Sequence, residues 1–109
     1  MRQELLRKAQ VALELALQAR TLEFQTRHAC DARMYFDQAR QTLQEFAART
    51  RSIASEAARL IATQSAIYEA GELSTFEKKL LRVEEQVAIA LRKPHNPQRM
   101  ERLVIEWPT

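Results

Sequence analysis

Ala29-Cys30-Asp31-Ala32-Arg33-Met34-Tyr35-Phe36-Asp37-Gln38-Ala39-Arg40-Gln41-Thr42-Leu43-Gln44-Glu45-Phe46 decides the fold class. Ala29, Phe36 and Leu43 recur every seven residues, and Ala32, Ala39 and Phe46 recur every seven, three places further on. That is a heptad with apolar a and d positions, the pattern of a helix burying one stripe. The a series extends back through Leu22 to Leu15 and forward through Thr50 and Ala57 to Gln64, and the d series continues through Ile53, Leu60 and Ile67. From residue 2 to residue 70 there is neither proline nor glycine. Loops ordinarily come every dozen or so residues, so a stretch of this length without a breaker points to helix.

The stripe is wider than a two-stranded seam. Ala47, Ala54, Ile61 and Tyr68 follow directly after d positions, and a stripe of a, d and e spans more than about 100° of helix surface. An all-α fold is therefore expected: long amphipathic helices in an antiparallel hairpin or bundle of three or four helices. Coiled-coil-like packing would hold it, and oligomerisation is one way to complete it. Towards the N-terminus the register differs. Leu6, Ala9, Leu13 and Ala16 form one stripe and Val11, Leu15, Ala19 and Leu22 another, so this segment is either sandwiched between partners or set off by a break. Thr26 or Asp31 could cap a new helix after a break within residues 20–32. Without a break, one helix of about 105 Å would result at about 1.5 Å per residue.

Gly71, the only glycine, suits a helix C-cap at positive φ, and Ser74-Thr75-Phe76-Glu77 has the form of a capping box. A second helix is expected to follow, with Leu73, Phe76, Leu80, Val83, Val87 and Ala90 on one face, widened by Leu81, Ala88 and Leu91. It should stop before Pro94, and the short Gly-Glu-Leu connection predicts an antiparallel helical hairpin turning at Gly71. Residues 1–93 are thus assigned to the helical domain and 94–109 to a linker and a short C-terminal segment. In that segment Asn96 and Pro97 can start a helix that places Met100, Leu103, Val104 and Trp107 on one face. The competing reading is a strand, because Leu103-Val104-Ile105-Glu106-Trp107 is rich in β-formers.

The charges read as a solvated helix face. Seventeen Lys and Arg oppose fourteen Asp and Glu for a net +3, but Glu4–Lys8, Glu23–Arg27 and Glu45–Arg49 stand at i,i+4, acid first. No apolar run approaches the roughly 20 residues that cross a bilayer, and no secretory signal is visible, so a cytoplasmic protein is expected. The single cysteine, Cys30, cannot form an internal disulfide.

No catalytic, metal or cofactor constellation emerges. His28 and Cys30 lie two apart and diverge on a helix, and neither histidine follows a glutamate at the spacing used by di-iron bundles. One glycine cannot build a phosphate loop. Neither an enzyme nor a small-molecule substrate is expected. The leading expectation is a non-catalytic interaction module, adaptor or chaperone-like, contacting a protein partner or itself as a homo-oligomer. Met100, Leu103, Val104 and Trp107 are its candidate contact residues, unless the segment folds back and Trp107 closes the bundle. In composition the chain resembles small bacterial secretion chaperones and stalk-like adaptors, although no motif identifies a family. The alternative is a nucleic-acid-associated or regulatory protein using its arginines, with Arg92, Lys93, Arg99 and Arg102 as the most basic patch.

Overall fold

The structure, a computed structural model, describes residues 2–92 and 103–107. Three helices follow one another: α1 (Arg2–Gln18), α2 (Leu22–Thr50) and α3 (Glu56–Leu91). Arg2 meets Phe46 and Lys8 meets Tyr35, so α1 runs antiparallel to α2. Arg33 meets Glu84 and Arg40 meets Glu77, so α3 runs antiparallel to α2 as well. The outer helices pack on α2 and scarcely on each other, in a body of 59 × 27 × 20 Å. The fold is all-helical and bundle-like.

The stripe read from the heptad is the buried face of α2: Leu22, Ala29, Phe36 and Leu43 with Ala32 and Ala39 between them. Alanines at these sites let α1 and α3 approach closely, while Phe36 supplies bulk and stacks obliquely on Phe76 at 5.8 Å. On α1 only the stripe Leu6, Ala9, Leu13 and Ala16, with Ala12 beside it, is buried. The second stripe is not sandwiched: Val11 is 54% exposed and Leu15 46%.

A break does separate α1 from α2, at Ala19–Thr21. Neither Thr26 nor Asp31 caps it. Thr21 is extended at φ −126° and ψ 156°, and its hydroxyl accepts the Phe24 N–H at 3.3 Å. Thr26 instead donates its hydroxyl to the Leu22 carbonyl at 2.8 Å within α2.

The hairpin expected at Gly71 is absent. α3 passes through Gly71 without a positive φ, and the chain reverses at residues 51–55 instead. There Ser55 caps α3, accepting the Ala58 N–H at 3.3 Å, with Glu56 in the first turn. The reason is packing. Leu73, Phe76, Leu80, Val83, Val87 and Ala90 do form the buried face of α3, and the reversal at residues 51–55 already lays that face antiparallel along α2. One mid-helix glycine costs only about 1 kcal/mol, which that burial outweighs. The residues of the expected capping box serve otherwise: Thr75 donates to the Gly71 carbonyl at 3.0 Å and Glu77 pairs with Arg40 at 3.4 Å. Leu81, Ala88 and Leu91 do not widen the buried face; all are exposed.

Leu103–Trp107 is not helical, which corrects the helix reading of the tail. It folds back on the helices with Ile105 buried and Val104 80% exposed. Met100 and the linker 93–102 lie outside the described residues.

Candidate protein-interaction surface

Two surfaces stand out, and both follow from α1 being about half as long as α3. α1 begins abreast of the middle of α3, where the Arg2 guanidinium donates to Glu69 at 2.8 Å and lies 4.1 Å over the Phe46 ring. Past that point only the end of α2 and the start of α3 continue, as a projecting two-helix tip around the 51–55 turn. Glu69, which by sequence reads as a solubilising charge beside a turn, is thus the acid that anchors the start of α1.

On the tip the apolar side chains of α3 point outward. Leu60 is 56% exposed, Ile61 70%, Ile67 67% and Tyr68 69%. From Leu60 to Tyr68 no residue is charged. Single exposed apolar residues are ordinary; here four fall on one short stretch of helix, with Ala62, Thr63, Gln64, Ser65 and Ala66 between them. The inner flank of this strip opens on a cleft of about 540 Å³ between α2 and α3, lined by Leu43, Gln44, Ala47 and Arg51 on one side and Ala66 and Ile67 on the other.

The second surface is the groove between α1 and α3. At one end lies an open cleft of about 690 Å³ bordered by Leu13, Glu14, Tyr68, Gly71 and Lys79. At the other end sits the chain's own Leu103–Trp107. Gln25, 1% exposed, donates to the Leu103 carbonyl at 2.9 Å and accepts the Leu103 N–H at 2.7 Å. Gln86 does the same for Glu106, at 2.8 and 3.1 Å, and Arg82 adds a 2.6 Å bond to the Glu106 carbonyl.

Of the four candidate contact residues, the three within the described residues do not share a face. Leu103 is half-buried and pinned by its backbone, Val104 points to solvent, and Trp107, 44% exposed, borders Leu13, Leu17 and Lys79. Sequence reasoning did not single out Gln25, Arg82 or Gln86. The one signal open to it was Gln25 at a d position of the α2 heptad, a polar residue where the pattern calls for an apolar one.

Electrostatically the α2–α3 seam is locked rather than open. Arg33 engages Glu84 through two nitrogens at 2.6 and 2.9 Å and reaches Asp37 and Glu77 at 3.5 Å. The hydrogen bonds that Arg33 donates to the Glu84 carboxylate raise its guanidinium pKa above the usual value, against the opposing effect of burial. Arg40 pairs with Asp37 at 3.1 Å, and Arg27 with Glu23 at 3.7 Å. Among the described residues no three His, Cys, Asp or Glu side chains gather in a group that could hold a metal, and no helix is long and apolar enough to cross a membrane. Cys30 is exposed. Compared with models of protein families, with curated proteins and with solved structures, the chain matches none of them.

Proposed function

We propose that this chain is a helical protein–protein interaction module that docks a partner helix, or a second copy of itself, on the projecting tip. The observation that carries this reading is the uncharged strip Leu60–Tyr68, with Leu60, Ile61, Ile67 and Tyr68 each more than half exposed. Each such side chain gains about 1.5–3 kcal/mol when fully buried, so covering the strip is a substantial driving force for association. A partner helix laid along it would place side chains in the open cleft beside Ile67, the helix-in-groove mode of recognition. An adaptor or chaperone-like role, in a bacterial secretion system or elsewhere, would use such a face to cover a client's apolar helix. Association through the strip would also complete the bundle.

The nucleic-acid alternative finds less support, because Arg27, Arg33 and Arg40 direct their guanidinium groups to carboxylates of the same chain. Light scattering tests the reading. The unaltered chain is expected to exceed monomer mass, alone or in a stable complex co-purified from native lysate. The double variant Ile61→Asp, Ile67→Asp should retain its helicity and be monomeric. An unaltered chain that is monomeric and binds nothing in lysate would refute the proposal.

A further inference from the structure

By sequence the C-terminal segment is a candidate ligand for a partner; the structure makes it the occupant of a site. The side chains that hold Leu103–Trp107 by hydrogen bonds all reach its backbone atoms: Gln25 to Leu103, Gln86 and Arg82 to Glu106. A primary amide offers one acceptor and donors in a single plane, as a peptide group does. Two such side chains, one from α2 and one from α3, therefore stand in for the neighbouring strand that a helical surface lacks. Main-chain capture of an extended segment is tolerant of sequence and draws its selectivity from the pockets for alternate side chains. Here the selective position is Ile105, buried between the two captured residues and 8% exposed. The rule the groove imposes is short: a residue captured by its backbone, an apolar side chain two places on, and a second captured residue next to it. Proline is excluded at both captured positions, since each must supply an N–H.

The groove wall continues past Trp107. Leu13, Glu14 and Lys79, which border Trp107, also border the open cleft that runs on to Tyr68 and Gly71. At Gly71 a Cβ would meet nothing within 4 Å.

We propose that the α1–α3 groove is a binding site for an extended segment of a partner protein, with Leu103–Trp107 as its intramolecular occupant. The open end of the groove shares Ile67 and Tyr68 with the exposed strip, whereas Gln25, Arg82 and Gln86, which hold the resident segment, lie outside it, so the test below does not depend on the tip being an interface. The test uses the full chain carrying Ile105→Asp, which removes the anchor of the resident segment, and a fluorescein-labelled peptide of residues 101–109 followed by anisotropy. The expected result is saturable one-to-one binding. It should be at least about tenfold tighter than to the unaltered chain, whose tethered segment competes at high effective concentration. Adding Gln25→Ala should weaken binding by about tenfold, and Gln86→Ala repeats the comparison at a less buried position, where folding is not at stake. A helical Ile105→Asp chain that fails to bind the peptide, or binds it indifferently to both glutamine substitutions, would overturn the proposal. Loss of the helical fold in both Ile105→Asp and the milder Ile105→Ala would overturn it too, because the segment would then be an obligatory part of the core.

Discussion

Replacing Gly71 by alanine should make the protein more stable. The residue is exposed near the middle of a 36-residue helix, its φ is not positive, and an added Cβ has open space around it. In such a setting glycine is less favourable than alanine by about 0.5–1 kcal/mol, through the larger backbone freedom it loses on folding. The new methyl group displaces no neighbour and strains no torsion, so Gly71→Ala should recover that amount. For a domain of this size, 1 kcal/mol corresponds to a Tm increase of about 4–8 °C. Thermal and urea unfolding followed by circular dichroism, at one fixed protein concentration so that association does not enter, measure it directly. The opposite sign is what a turn at Gly71 requires, because alanine at positive φ destabilises by more than the entropy it saves. A Tm that falls in Gly71→Ala would therefore refute the continuous α3 and the outward face built on it.

Phe36, 1% exposed and stacked on Phe76, joins the helices at mid-bundle; Phe36→Ala should cost about 3–5 kcal/mol in urea unfolding. Arg33→Ala removes the paired bonds to Glu84 and should cost about 2 kcal/mol, with Glu84→Ala adding little once Arg33 is gone in a double-mutant cycle. Because the Arg33 guanidinium is raised in the folded chain by ionised carboxylates, its contribution is full from neutral pH up to its unfolded value and fades only as pH climbs through the folded one. The Arg33→Ala penalty, measured from neutral to mildly alkaline pH, should consequently not change. Thr21→Ala loses the cap of α2 and should cost about 1 kcal/mol, readable as a lower urea midpoint.

Much of the helical content is legible in the sequence because it is written in local spacing. The buried face of α2 follows the heptad from Leu22 to Thr50, and that of α3 is the series from Leu73 to Ala90. What misleads is punctuation. Gly71 has the highest backbone freedom in the chain by residue type, yet a helix held by the burial of Leu73, Phe76, Leu80, Val83, Val87 and Ala90 tolerates one glycine. The real reversal at residues 51–55 has serines but no glycine or proline, and Ile53, Ala57 and Leu60 keep the heptad in step across it. Periodicity alone cannot register a turn that preserves the period. The same masking hides the tip: Leu60 and Ile67 look like core positions, but they are 56% and 67% exposed. The candidate groove is less legible still, since it depends on Gln25 and residues near the C-terminus coming together over a separation of 78 positions. No local pattern carries that information. The β-formers Leu103, Val104 and Ile105 do hint at an extended segment, but the partner it needs is a pair of side-chain amides and not a strand.

The continuity of α3 is the point on which the exposed strip and the open end of the groove both rest, and one distance decides it. Spin labels at Ala58 and Ala88, both exposed, in a Cys30→Ser background, would be separated along an unbroken helix by about 45 Å at 1.5 Å per residue. Pulsed electron resonance should find a single narrow distribution near that value, unchanged between dilute and concentrated samples in which only one chain in many carries label. A distribution centred below about 20 Å, as two antiparallel helices folded at Gly71 would give from their interaxial spacing, would contradict the account.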